Sequence, residues 1–295
     1  MRGVGVTGTV LKVPRGLVGA TVGPLTQDID ARWLMAYAAG LGETDPAYLD
    51  TLRPDGVTAH PLFPVCYEWP LAVESRTRQL GDEVALRGVH ATHDLTLHRS
   101  VRAGDRLTTT AAVIAVAPRR AGAYVLTRYE TRDARDERVS TTDYGSVFLG
   151  VACDPEGSPL ASPHPARSPA GGEGSVEWTE EIPIAATLAH VYSECARIWN
   201  PIHTDPEVAR RAGLPRIILH GTATLALAIS ATMRRAGPTA TRVTRVACRF
   251  TGMVPLPSRL RVHGRADAGA PAGQRFRATT PDGALALADG YLETA

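Results

Sequence analysis

The chain has 295 residues, 44% of them apolar, and its 32 basic and 30 acidic side chains leave a formal charge of +2 with neutral histidines. That length and composition suit a globular protein of two ordinary domains, and so balanced a charge offers no basic field to hold nucleic acid or an anionic membrane surface. No stretch approaches the roughly 18 apolar residues needed to span a bilayer, and the start, MRGVGVTGTVLKV, lacks a long apolar core, so a cytoplasmic protein with a small-molecule partner is expected. Cys66, Cys153, Cys195 and Cys248 are scattered without C-x-x-C spacing, which predicts buried thiols rather than a zinc site or a disulfide framework.

From the N-terminus, DIDARWLMAYAAGLGETDPAY (Asp28 to Tyr48) reads as helical, and a second, mostly apolar helix begins near His60 in TAHPLF. Polar and apolar residues then alternate around turn signals such as Ala103-Gly104-Asp105, as in antiparallel strands. The run from Glu130 to Arg138 mixes both charge signs and reads as a solvated hairpin tip. Cys153 to Gly174 is dense in Pro, Gly and Ser and reads as a linker. After it the order repeats. PIAATLAHVYSECARIWNPIH (Pro183 to His203) superposes on the first helical stretch with Tyr192 falling on Tyr37, and IILHGT places His220 on His60. Matches in order at one spacing indicate duplication. The expected architecture is α+β, with residues 1–152 and 175–295 as two domains and 153–174 between them. In each domain a long helix is wrapped by an antiparallel sheet. Periodicity alone does not name the fold.

Asn200-Pro201-Ile202-His203-Thr204-Asp205-Pro206, followed by Pro215-Arg216-Ile217-Ile218-Leu219-His220-Gly221, closely resembles the signature of the MaoC-like dehydratases and R-specific enoyl-CoA hydratases. The first half, including PLFPVCYEW and HRSVRAGDRL, is similar to that family's degenerate N-terminal domain. The resemblance implies a double hot-dog fold with long helices paired and sheets side by side. It also implies interconversion of 3-hydroxyacyl and trans-2-enoyl thioesters by the motif's Asp and His, a water molecule and an oxyanion-holding amide, with no cofactor or metal.

The chemistry accounts for those parts. Removing a proton beside a thioester carbonyl puts charge on its oxygen, which a backbone N–H at a helix start can face, and Gly221 fits that role. His203 fits the role of acid and base. In the first half Pro61 stands at the Gly221 position and has no N–H, and Tyr48 stands at the His203 position, so that half should be silent. Where the family has Asp, this chain has Ile198, and an aliphatic side chain moves no proton. Three readings follow: Glu194 substitutes, if the helix carries it onto the face of Ile198; His203 alone serves a double-bond shift or an intramolecular conjugate addition; or the protein binds acyl thioesters without turnover.

Asn200, Ile198, His220 and Thr222 are the expected substrate contacts. His220 has a structural rival role because His60 matches it, and Asn200 has one as a turn residue. Asp205 reads as the cap of a short helix, and Cys195 as a packed thiol. The expected partner is an acyl-CoA or acyl carrier protein of lipid or polyketide metabolism, and a homodimer is left open.

Overall fold

A computed structural model describes residues 10–14, 16–153, 176–237, 242–270 and 272–295, so the linker read between Cys153 and Gly174 lies outside the described residues beyond Cys153 itself. The first half runs β1 (Thr21–Asp28), α1 (Ala31–Gly40), the single turn α2 (Pro46–Leu49), the long α3 (Pro64–Leu80) and the single turn α4 (Asp82–Ala85). Strands β2 (Gly88–Leu97), β3 (Arg106–Arg119), β4 (Gly122–Arg132) and β5 (Arg138–Leu149) follow. The second half runs β6 (Trp178–Ile184), α5 (Leu188–Ala196), a 3-10 turn at Pro201–His203, α6 (Pro206–Arg211) and α7 (Gly221–Ala236). It ends in β7 (Val243–Phe250), β8 (Ser258–Ala266), β9 (Gly273–Thr279) and β10 (Leu285–Thr294).

All ten strands form one antiparallel sheet in the order β1-β3-β4-β5-β2-β7-β10-β9-β8-β6. The order reads the same from both edges once five is added to the strand number, so the duplication seen in the residues is a duplication of topology. The seam is β2 on β7, from Thr92 opposite Arg249 to Thr96 opposite Arg245. Across it the Arg245 guanidinium donates two bonds of 3.0 Å to the Asp94 carboxylate.

Each half wraps its sheet around its long helix. Helix α7 buries every residue from Ala223 to Thr232, and the unbroken small and apolar run ATLALAISAT is what a helix enclosed on all sides requires. Helix α1 starts where the Asp30 carboxylate accepts the Trp33 N–H at 2.7 Å, and it turns Trp33, Leu34 and Tyr37 inward. One core runs through both halves, from Ile29 to Leu292.

The structure departs from the sequence reading in several places. The helices packed across the two halves are α1 and α5, not the two long ones. The crossing is close because residue 40 is glycine: a Cβ there would sit 2.9 Å from Cβ of Cys195. A strand precedes the first helix of each half, over residues to which, apart from Asp28, Pro183 and Ile184, the sequence reading gave no element. These strands, β1 and β6, are the two edges of the sheet, and they contain Pro24 and Pro183, which edge strands tolerate and central ones do not. Cys66 and Cys248 are buried as expected, whereas Cys153 and Cys195 are only partly so. No described helix is long and apolar enough to cross a membrane.

Candidate functional site

A cavity of about 160 Å³ lies between the start of α7, the segment from Ile198 to His203, the end of β7 and, from the first half, one face of α3 with β2 and β5. His203, Gly221, Asn200, Ile198, His220 and Thr222 all line it. Chain direction brings them together. Helix α5 stops at Ala196 because Arg197 takes a left-handed backbone, φ 57°, at the position of the glycine in the resembled signature. The chain then turns Ile198 inward, passes through Asn200 and completes a 3-10 turn that ends on His203.

Nδ1 of His203 lies 2.9 Å from the carbonyl oxygen of Ile218, which can only accept, so the neutral ring carries its proton there. Nε2 is thereby left as the unprotonated nitrogen, with no protein partner among the described residues. The ring stacks on His220 at 3.7 Å, and Nε2 of His220 meets the Ser193 hydroxyl at 3.1 Å. Burial holds His203 down at about 4, against a smaller opposing effect of the Ile218 carbonyl. His220 is pushed well below the usual range by burial and then by His203. Both rings are neutral at pH 7.

Gly221 opens α7, so its amide has no acceptor one turn earlier in the helix and is free for a ligand. A Cβ at this position would lie 3.2 Å from the Phe250 ring, tight enough to force that ring to move. Thr222 accepts from the Tyr192 hydroxyl at 3.1 Å, and Tyr192 meets Tyr37 at 3.4 Å near the local axis relating the halves. Asn200 caps the 3-10 turn through the Ile202 amide at 3.4 Å, and Asp205 caps α6 through Glu207 and Val208 at 2.8 and 3.3 Å.

Glu194 is not brought to the cavity. It is exposed on α5, and because the helix ends before Ile198 the two residues share no face. Instead the cavity wall holds Glu68, from the half read as silent. This carboxyl group is 3% exposed, accepts from the Thr142 hydroxyl at 2.6 Å through Oε1, and leaves Oε2 without a protein partner. Burial raises it to about 8, against the smaller effect of Thr142, so it is protonated at neutral pH. Arg76, His90 and Tyr144 complete the first-half wall. Sequence reasoning passed over Glu68 and Arg76, yet they carry a signal: with Ala72 they recur every four residues, placing two charged side chains on the helix face that also presents Val65 and Trp69. Among the described residues no three His, Cys, Asp or Glu side chains stand in a metal-binding group.

Residues 173–279 match the MaoC-like domain, and residues 16–142 match the FAS1-like dehydratase domain region. The chain is similar to the peroxisomal enoyl-CoA hydratase 2 of Arabidopsis thaliana, 49% identical over 47 residues, 15% of each chain. It is also similar to the enoyl-CoA hydratase ChsH3 of Mycobacterium tuberculosis, 34% identical over 92 residues, 30% of this chain and 32% of that one. The matches thus span less than a third of either relative's length. Among solved structures, a MaoC-like dehydratase from Phytophthora capsici superposes with a TM-score of 0.83 at 21% identity, covering 96% of this chain and 98% of that one. A Mycobacterium tuberculosis protein described as a double hot-dog fold superposes at 0.60 and 17% identity, covering 94% and 97%. At such identities the likeness is one of fold, and the fold is a double hot-dog.

Proposed function

The chain belongs to the MaoC-like dehydratases, and from that premise we propose that it adds water to, or removes it from, an acyl thioester carried on CoA or a carrier protein, with His203 and Gly221 as the reacting pair. The observation that carries this proposal is the setting of His203: Nδ1–H is fixed on the Ile218 carbonyl, which leaves Nε2 as a base in the cavity that Gly221 opens onto. The two curated relatives are enoyl-CoA hydratases by name, which supports the thioester class.

In the dehydrating direction, Nε2 of His203 takes the proton from C2 of a 3-hydroxyacyl thioester. The electron pair moves onto the carbonyl oxygen, where the Gly221 amide receives the charge. The pair then returns to form the C2–C3 double bond as the hydroxyl leaves C3, and that hydroxyl needs a proton to depart as water. Ile198 cannot supply it. Among the described residues Glu68 is the one carboxyl group on the cavity wall, and it is held protonated, so it is the group suited to that transfer. Hydration runs the same transfers backwards.

A second reading rests on Ile198, an apolar residue 4% exposed that lines the same cavity as His203. A reaction needing one proton shuttle, a double-bond shift or an intramolecular conjugate addition, is served by His203 alone.

The test is turnover of crotonyl-CoA and 3-hydroxybutyryl-CoA, and of a longer enoyl-CoA carrying a hydroxyl on the far part of its chain, with products followed by chromatography. Interconversion of the first two supports the hydratase. A shifted double bond or a ring product without exchange of water favours the second reading. Tight binding with no product over the whole panel makes the protein an acyl-thioester binder.

A further inference from the structure

Arg76 poses a question that thioester chemistry alone does not answer. It projects from α3 onto the first-half wall of the cavity, donates one bond of 2.8 Å to the Tyr144 hydroxyl, and rests over the rings of Trp69 and Tyr144 at 5.7 and 5.5 Å. No carboxylate of the described residues pairs with it, and its hydrogen-bond partner is the Tyr144 hydroxyl. Glu68 lies two turns away on the same face, about 12 Å along the helix axis, and is protonated at neutral pH. His90, stacked on Tyr144 at 3.6 Å, is kept neutral by burial, by His93 and by Arg76 itself. Among the described residues Arg76 is therefore the one charged group on the wall at neutral pH, and their net charge there is positive. Arg76 is half-buried, and its hydrogen bond to Tyr144 uses one of the five N–H donors of the guanidinium, so the others are open to an anion entering the cavity.

The position of Arg76 says which end of a substrate meets it. From Gly221 the wall runs through Phe250 to His90 at 4.3 Å, then to Tyr144 and Arg76. Arg76 also borders a second, smaller cavity enclosed between α3 and its own sheet and lined by Val113, Val125 and Phe148. That direction leads into the first hot-dog domain, away from the reacting carbon.

We propose that Arg76, with the Tyr144 hydroxyl, is a subsite for a carboxylate carried on the far part of the acyl chain, so that the substrates are thioesters of chains bearing a second acid group. The inference rests on the acyl-thioester reading of the cavity but not on turnover. The fork of the guanidinium takes a carboxylate by two parallel bonds, and the tyrosine hydroxyl, already an acceptor from Arg76, has its own proton to donate.

The experiment is calorimetric binding of saturated acyl-CoA thioesters of increasing chain length, each methyl-terminated and carboxyl-terminated, with free CoA as a further arm. The wild-type protein should prefer the carboxyl-terminated ligand by about tenfold or more at the length that reaches Arg76. Arg76→Met should bring that ratio to about one, and Arg76→Lys, which keeps a point charge without the fork, should retain part of it. Equal affinity for both series at every length in the wild-type protein overturns the proposal. So does a loss of free-CoA binding in Arg76→Met as large as the loss for the carboxyl ligand, because the anion would then be a carrier phosphate. Crotonyl-CoA turnover is measured separately: a wild-type protein that turns nothing over yet prefers the carboxyl series keeps the subsite and loses the hydratase.

Discussion

The two halves place equivalent residues in equivalent contacts and then diverge in what those contacts can do. In the first half the Tyr48 ring sits 5.9 Å from His60 at a tilt of 47°, and in the second the His203 ring stacks on His220 at 3.7 Å. Tyr37 reaches towards Leu62, and its mate Tyr192 donates to Thr222, two residues beyond each paired histidine. His60 is fully occupied: Nδ1 accepts the Leu62 amide at 3.1 Å and Nε2 meets Ser230 at 3.2 Å. At the helix start the first half offers Pro61 and the fully buried Leu62 and Phe63, where the second offers the Gly221 amide beside a cavity. The fold needs a ring pair at the start of each long helix. Only the second half leaves a nitrogen and an amide uncommitted there, while the first half gives the cavity its carboxyl group and its guanidinium.

The sharpest way to break this contrast is His203→Ala against Tyr48→Phe. The first should lower kcat by about 10²–10⁴-fold with a melting temperature close to wild type, since a positioned acid–base group contributes about that much. Tyr48→Phe should leave kcat within about twofold. A fully active His203→Ala protein would move the proton shuttle elsewhere. Next, Gly221→Ala should cost about tenfold or more in kcat, because its Cβ presses on Phe250 where the amide must face the thioester. Pro61→Gly in the first half should change kcat little, and an equal loss in both variants would make the two helix starts alike.

Glu68 tests whether the silent half is silent. His203 must be neutral to take a proton, which holds above about 4, and Glu68 must be protonated to give one, which holds below about 8. The profile of kcat/KM against pH should therefore be flat between those values and fall on both sides. Glu68→Gln should lower kcat several-fold and abolish the alkaline fall while keeping the acid one. An alkaline fall that persists in Glu68→Gln belongs to another group. Ile198→Asp distinguishes the two reaction types by sign: hydration of crotonyl-CoA rises a few-fold if the cavity keeps a hydratase layout. The native reaction falls instead if the new carboxyl group meets a dry wall that raises its pKa. The smallest effect is Asp205→Ala, which removes the cap of α6 and should cost about 1 kcal/mol of stability with kcat unchanged.

Particular residues explain what the chain revealed in advance. The repeat of Tyr37 on Tyr192 and His60 on His220 was legible because side-chain identity survives at the local axis, where one hydroxyl must meet another. His203, Gly221, Asn200 and Ile198 were legible as one string whose parts lie within about 25 positions, and the structure gathers them around one cavity. Glu194 was misplaced because nothing in ECARIW announces that an arginine will adopt the left-handed backbone that ends α5. Glu68 and Arg76 were passed over because they are distant in the chain and reach the site only when the two halves pack together, through pairings such as β2 on β7 that alternation cannot specify. The edge strands β1 and β6 received no reading as strands: each is short and interrupted by a proline, which weakens a strand pattern.

That seam has one more consequence. Two separate copies held by such a strand pairing would part on dilution, and every substitution would strike both at once. With the pairing inside one polypeptide, each side sees the other at a fixed effective concentration, so melting should not depend on how much protein is present. Heredity is freed in the same stroke. A proline can settle at position 61 while glycine is kept at 221, and an arginine can take up residence on α3 without its twin having to appear on α7.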